Sequence, residues 1–195
     1  MEIDNLATDR PAAGRRLRAA ARTALVWAAA VLAAFLLRAY AVTVVRVADT
    51  GSMLPTLDGG DVLLVGRIGY RFSPPRAGDI VVAESPDADS PRFAKRVAAI
   101  PGDVVEFRGQ AFWINGERLG DAFSDGPVVF GGDFGMQTAF GRQLEVPQGE
   151  FFLLGDNRNR SHDSRHSDFG TVPAERMTGR VFFRIWPPGR FGPVG

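Results

Sequence analysis

A single apolar stretch near the amino end limits the folds that are open to this chain. Residues 23–45 read TALVWAAAVLAAFLLRAYAVTVV, with Arg38 as their one charged residue. Five arginines precede this stretch, at positions 10, 15, 16, 18 and 22. A bilayer needs roughly 20 apolar residues, and a helix satisfies every backbone group in lipid. We therefore predict a transmembrane helix over 23–45 whose far end lets Arg38 reach the interface, with 1–22 cytoplasmic and 46–195 outside.

A cleavable signal peptide fits the same residues. Its parts would be the basic leader, the apolar run, and Ala39-Tyr40-Ala41 as a small-x-small cleavage site. Both interpretations place the rest of the chain outside the cytoplasm, and these residues alone leave both open.

The composition excludes several classes of site and partner. The chain has no cysteine, so neither disulfides nor a thiolate zinc site can hold the fold together. The formal net charge of +1 gives no signal for binding a polyanion, so we expect no nucleic-acid partner. The hydrophobic content of 45% is enough for a packed core in a chain of 195 residues.

Beyond residue 45 the pattern is that of a β-rich domain. Short β-branched runs bounded by Gly or Pro follow one another at residues 42–48, 61–68, 78–84, 92–100 and 103–109. Asn115-Gly116 predicts a tight hairpin, and no later stretch keeps a helical period. We predict a mainly β fold, in which the transmembrane helix is followed by an all-β catalytic domain with a small β insertion at 105–147.

Lys95 is the only lysine in the chain, since 22 of the 23 basic Lys and Arg residues are arginine. It occurs in the apolar run FAKRVAAI, where strand alternation places Lys95 and Val97 on one face and Arg96 on the other. Burial of that face would lower the pKa of Lys95, and a neutral amine is a competent general base. Arginine does not deprotonate in proteins and could not take this role.

Two further polar stretches occur where a plain β-domain would not need them. In TGSMLPTL, residues 50–57, a glycine and a proline flank Ser52 in a turn that presents its hydroxyl. GDNRNRSHDSRHSDFG, residues 155–170, follows an apolar strand directly. Its His162 and His166 are four residues apart but lack a helix and a third ligand, so we predict no metal site.

Four sequence boxes, in order behind an apolar segment, resemble the type I signal peptidases, which are membrane-anchored Ser/Lys proteases. The boxes are GSMLPTL, RAGDIVV, KRVAAIPGD and GDNRNRSHDSR. The resemblance implies that Ser52 is the nucleophile and Lys95 the general base, with Met53 and Pro55 shaping the cleft. It also implies that Ser161 steadies the lysine amine.

Further expectations follow from the same resemblance. Asp163 and Arg165 would form a supporting ion pair. The substrates would be precursor proteins with a signal peptide, and no cofactor would be needed. Membrane lipid would hold a retained single-pass anchor in the cell membrane, with the catalytic domain on its extracytoplasmic side.

The chain departs from the family pattern at two places. Thr50 occupies a position where many bacterial members have serine, and its hydroxyl could complete an oxyanion hole with the Ser52 N–H. The sequence after Arg165 is longer than usual, which leaves the role of residues 166–168 open.

Three alternatives to this assignment stay open. A Ser-His-Asp hydrolase could pair Ser52 with His162 or His166. A specialised peptidase of the same Ser/Lys class could process a single client. A non-enzymatic, membrane-tethered β-domain could bind peptides without cutting them.

Overall fold

A computed structural model of the chain describes residues 10–67, 70, 73–85, 92–108, 111–120 and 143–194. The chain divides into two compact units, Met1–Ala41 and Val42–Gly195. The first nine residues of the predicted cytoplasmic segment lie outside the described residues, as does the loop-rich part of the insertion at 121–142.

The amino-terminal unit is one long helix, α1 (Arg10–Ala41). It includes a 21-residue apolar stretch, Arg16–Leu36, with a mean hydropathy of 1.8 and none of it buried in the protein. At 1.5 Å per residue this stretch is about 31 Å long, close to the thickness of a bilayer's hydrocarbon core. The helix therefore has the length and composition of a membrane anchor.

The helix ends earlier than the predicted transmembrane segment. Residues 42–45, which we assigned to that segment, belong to strand β1 (Val42–Arg46), which pairs antiparallel with β2 (Val62–Gly66). The reason lies in the residue types, because VTVV is dominated by β-branched side chains that pack well on a sheet. The structure places the boundary between helix and β-domain at Ala41.

The second unit is built on an eight-stranded sheet. Six of its strands follow the order β1-β2-β11-β3-β4-β9, β10 completes one end, and β12 pairs with β11. All pairings are antiparallel. Besides β1 and β2, this sheet contains β3 (Ile80–Glu84), β4 (Arg92–Ala99), β9 (Glu150–Leu154), β10 (Val172–Pro173), β11 (Met177–Trp186) and β12 (Gly192–Pro193). Single turns of 3₁₀ helix occur at Ala174–Arg176 and Pro188–Arg190.

A smaller four-stranded sheet, in the order β7-β6-β5-β8, occupies the part of the chain where the insertion at 105–147 is predicted. Its strands are β5 (Val104–Arg108), β6 (Ala111–Ile114), β7 (Glu117–Arg118) and β8 (Gln143–Glu145). The hairpin predicted at Asn115-Gly116 is confirmed, since both residues have positive φ, 52° and 83°, and join the paired strands β6 and β7.

Three buried apolar clusters hold the β-domain together. The first lies around β2, β3 and the turn after β1, and includes Met53, Leu57 and Leu63. The second lies around β3, β4 and β9. The third joins the two sheets, because Phe152 and Leu154 of β9 pack in the same cluster as Val105 of β5. The mainly β fold predicted from the sequence is confirmed.

Candidate active site

Ser52 lies in the turn that connects β1 to β2. The Leu57 N–H donates a 2.8 Å hydrogen bond to the Met53 carbonyl oxygen within this turn. The side chains of Met53 and Leu57 are buried in the first core cluster. Their burial holds the turn in place and leaves Ser52 only 9% exposed.

Lys95 lies in the middle of β4, between β3 and β9. Its Nζ is 2.8 Å from Ser52 Oγ, and its side chain is only 4% exposed. Burial lowers the pKa of Lys95 from 10.5 to about 8, while Asp163 raises it, Arg165 lowers it and Asp156 raises it. An amine with this geometry and this pKa can accept the proton of the Ser52 hydroxyl near neutral pH.

Thr50 also contacts the nucleophile candidate. Its hydroxyl donates to Ser52 Oγ at 3.2 Å, and the Ser52 N–H reaches Thr50 Oγ1 at 3.5 Å. The second contact is at the long limit for a hydrogen bond. The Thr50 hydroxyl and the Ser52 N–H, which the sequence suggested as donors of an oxyanion hole, therefore lie next to each other, with the Thr50 hydroxyl directed at Ser52 Oγ.

The ion pair of Asp163 and Arg165 has no solvent exposure and lies close enough to Lys95 to affect its pKa. Arg165 Nε donates to Asp163 Oδ1 at 2.7 Å, and Arg165 Nη2 donates to the carbonyl oxygens of Arg158 and Ser161. Burial alone would raise the pKa of Asp163. The Arg165 guanidinium and the hydrogen bonds from Gly155 and Ser161 outweigh burial and hold that pKa below its ordinary value.

Ser161 has a different partner from the one predicted. Its hydroxyl donates to Asp163 Oδ2 at 2.6 Å. Within the described part of the chain, the hydrogen bond of the Lys95 amine is with Ser52 alone. Among the described residues Ser161 makes no direct hydrogen bond to the lysine amine, and its hydroxyl is one of the groups that lower the pKa of Asp163.

Gly155 allows the two polar stretches to come together. A Cβ at this position would lie 2.1 Å from Ser161 Oγ and 2.5 Å from the Ser52 carbonyl oxygen. Real Cβ atoms are not found at such distances, so only glycine fits between the turn that carries Ser52 and the loop of residues 161–165.

We expect Gly155→Ala to lower the free energy of unfolding by about 1–3 kcal/mol, as overpacking does in other cores. The backbone oxygen of Ser52 cannot move away from the added Cβ unless the whole turn that carries Ser52 moves. Chemical denaturation of this variant should be compared with that of Gly189→Ala, where a Cβ meets nothing within 4 Å. Equal stabilities would contradict the close approach at Gly155.

A second buried ion pair was not anticipated from the sequence. Arg96, next to Lys95 in β4, donates two 2.8 Å hydrogen bonds to the carboxylate of Asp156 and a third to the Gly78 carbonyl oxygen. Lys95, Arg96 and Val97 are all buried, because β4 has neighbours on both sides and is covered on both faces. The signal was available in the sequence as a second charged side chain, next to Lys95, in the apolar run FAKRVAAI.

A cavity of about 540 Å³ opens beside Ser52 and Lys95. Thr50, Met53 and Phe169 are also among the residues that line it. The apolar part of its wall comes from Val45, Val47, Leu57, Leu63, Val82 and Phe93. Its size and its mostly apolar wall suit a short stretch of peptide with small side chains.

Pro55 and His162 do not contact Ser52 Oγ in the structure. Pro55 is exposed and is not among the described residues that line the cavity, so the structure does not bring it to the cleft. His162 does line the cavity, but its Nε2 is 3.1 Å from the Asp168 carboxylate. The described polar partners of Ser52 Oγ are Lys95 and Thr50, not histidine.

The amino-acid sequence matches a known protein family. A family described as signal peptidase, peptidase S26, matches residues 20–186. A signal peptidase I of Leptolyngbya laminosa is 38% identical over 157 residues, which are 77% of this chain and 72% of the relative. One from Bacillus caldolyticus is 35% identical over 153 residues, 74% of this chain and 80% of the relative.

A crystal structure of a signal peptidase I from Enterococcus faecalis V583 matches 55% of this chain and 97% of its own, at 32% identity and a TM-score of 0.44. The match of the family covers both polar stretches and the strand that carries Lys95. The chain therefore belongs to the signal peptidase family, peptidase S26.

Proposed function

We propose that this chain is a serine endopeptidase that removes signal peptides from exported precursor proteins, with Ser52 as nucleophile and Lys95 as general base. The observation that carries the proposal is the 2.8 Å contact between Lys95 Nζ and Ser52 Oγ, made by an amine that is 4% exposed. A structural lysine would be expected to keep its ammonium in water.

The reaction would proceed through an acyl-enzyme. Neutral Lys95 takes the proton of the Ser52 hydroxyl while Oγ attacks the scissile carbonyl carbon. The resulting ammonium returns that proton to the leaving amine as the peptide bond breaks. Lys95, neutral again, then removes a proton from a water molecule as the water oxygen attacks the ester carbonyl, and the lysine ammonium returns that proton to Ser52 Oγ as the ester bond breaks.

The lowered pKa of Lys95 sets the direction of the pH dependence. The neutral amine is the active form, so activity should rise as pH increases and level off above about 8. At pH 7 about a tenth of the molecules would have the neutral amine, compared with fewer than about one in a thousand at the ordinary lysine pKa.

Thr50 is proposed to donate a hydrogen bond to the oxyanion. Removal of one such donor typically costs about 2.7–4 kcal/mol of the activation barrier. We therefore expect Thr50→Val to reduce kcat on the order of 100-fold or more, and Thr50→Ser to have little effect, because serine keeps the hydroxyl. Steady-state cleavage of a signal-peptide substrate measures both, and equal rates for the two variants would remove Thr50 from the oxyanion hole.

The substrate is proposed to bind as an extended strand along β1. Among the described strands, β1 pairs only with β2, so its outer edge is open beside the cavity that Val45 and Val47 line. An extended peptide can pair with such an edge and direct alternate side chains into the cleft. The family resemblance also implies small side chains at the first and third positions before the cut, and such alternate positions of a strand would face the cleft.

The helix α1 is proposed to anchor the enzyme in the cell membrane as a single-pass segment. Its exposed apolar side chains, such as Leu25, Trp27 and Phe35, need a nonpolar environment. The arginines at its start favour a cytoplasmic amino terminus, which places the β-domain on the extracytoplasmic side. Three exposed aromatic residues of the β-domain, Phe182, Trp186 and Phe191, would let it contact the lipid surface.

Cleavage of a precursor in vitro tests the proposal. The wild-type protein in detergent should cut a leader-bearing precursor at one site, and the Ser52→Ala and Lys95→Ala variants should not. A wild-type protein that binds the precursor without cutting it would favour the peptide-binding β-domain. Cleavage that survives Lys95→Ala but is lost in His162→Ala would favour a Ser-His-Asp hydrolase.

The range of substrates distinguishes a general signal peptidase from a specialised peptidase with a single client. Several unrelated precursors should be cut at comparable rates by a general signal peptidase. A peptidase with a single client would cut one of them and leave the others intact.

A further inference from the structure

Three arginines line the same cavity as Ser52: Arg46, Arg92 and Arg160. Within the described part of the chain, none of the three forms an ion pair or a side-chain hydrogen bond. Other arginines of the β-domain do have carboxylate partners, for example Arg96 with Asp156 and Arg184 with Asp61. The cavity therefore presents cationic groups that no described carboxylate pairs with directly.

Negative charge in the described cavity wall comes from Asp168 alone, and its carboxylate is 3.1 Å from His162 Nε2. Arg92 is opposite Glu84 in the pairing of β4 with β3, so its charge is partly balanced from outside the cavity. Neither Arg46 nor Arg160 forms an ion pair with a described carboxylate, although the Asp49 carboxylate lies beside Gly59 and the Arg46 guanidinium beside the adjacent Gly60.

Arg160 and Arg46 lie at two parts of the site that the reacting peptide would contact. The Arg160 guanidinium lies about 4 Å from where a Cβ would stand on Gly51, the residue before the nucleophile. Arg46 is the last residue of β1, the edge strand that is proposed to pair with the substrate. One cation thus lies beside the nucleophile turn, and the other lies along the path of the peptide.

We propose that Arg160 and Arg46 are specificity-determining residues that favour precursors with an aspartate or glutamate flanking the scissile bond. The inference rests on the proposed peptidase function. Both arginines are exposed at the cavity, so an acidic side chain in the bound peptide can reach and pair with their guanidinium groups. A basic side chain at the same position would meet like charge and bind less well.

The choice of arginine fits this role. A guanidinium keeps its charge at every pH at which Lys95 is neutral. The preference for an acidic side chain should therefore be the same at pH 7 and pH 9. It should weaken as salt is added, because partly exposed charge pairs are screened.

Cleavage of matched peptides tests the inference. The peptides differ only in carrying Asp, Asn or Lys at the second position before the cut, or at the first or second position after it. With wild-type protein, kcat/KM at one or more of these positions should be about 3- to 10-fold higher for Asp than for Lys, with Asn between them. In Arg160→Gln or Arg46→Gln, that ratio should fall towards one.

The control is Arg176→Gln, which removes an exposed arginine that is outside the cavity wall and should keep the wild-type ratio. A ratio near one at all three positions in the wild type would overturn the inference, as would a ratio that both cavity variants keep. The Asn peptide carries no charge at the tested position, so its cleavage tests the proposed peptidase function separately from the proposed charge preference. If the wild type fails to cut it, the proposed peptidase function is at fault.

Discussion

Lys95→Arg is expected to reduce cleavage by at least about 10³-fold, although it keeps a positive charge at the same place. General-base catalysis contributes about 10²- to 10⁴-fold, and a nucleophile with no base to accept its proton loses much more than a binding contact. The guanidinium cannot act as that base at any working pH. Single-turnover cleavage of a signal-peptide substrate measures the loss over this range.

A shape-matched variant makes the result independent of folding. Lys95→Met removes the amine but keeps an unbranched chain that fits a site only 4% exposed. We expect it to be as inactive as Lys95→Arg, yet to melt at the same temperature as the wild type or higher, because it no longer buries an ammonium. Activity above about a tenth of wild type in either variant would remove Lys95 from the mechanism.

Arg165→Leu is expected to lower the free energy of unfolding by about 3–5 kcal/mol. It would leave the Asp163 carboxylate buried without its partner, which is the costly way to break a buried ion pair. The same change should raise the pKa of Lys95, because the nearby negative charge is no longer balanced. The rising limb of the pH–rate profile should therefore move to higher pH.

The double variant Asp163→Asn, Arg165→Leu separates charge from packing. It removes both charges, so it should recover part of the lost stability and return the rising limb towards its original pH. If the single and double variants have the same free energy of unfolding, the loss of stability in Arg165→Leu comes from lost packing and not from an unpaired charge. If the rising limb stays in place in Arg165→Leu, the ion pair does not tune the lysine.

Much of the β-domain could be predicted because its signals are local. β-Branched runs between glycines and prolines marked the strands, and Asn115-Gly116 marked a turn that needs positive φ at both residues. The end of the anchor could not be predicted in the same way. Apolar content alone does not separate a helix in lipid from a strand, and VTVV at residues 42–45 has the composition of both.

The site was predictable in its parts but not in its contacts. One lysine among 22 arginines drew attention to Lys95, yet its contact with Ser52 spans 43 positions of sequence. The Arg96–Asp156 pair spans 60 positions and needs the pairing of β4 with β9 to bring it together. The position of Ser161 was indicated by its box, but its hydrogen bond to Asp163 depends on the fold of the 155–165 loop.

The central claim is that burial by the fold lowers the pKa of the Lys95 amine to about 8, so that about a tenth of it is neutral at pH 7 and most of it above pH 8. Since the chain has one lysine, protein labelled with ¹³C-lysine gives a single side-chain signal for the carbon bonded to Nζ. Titration of this signal by NMR in detergent measures the pKa of Lys95 directly. We predict a value of about 8, and a value near 10.5 would contradict the account.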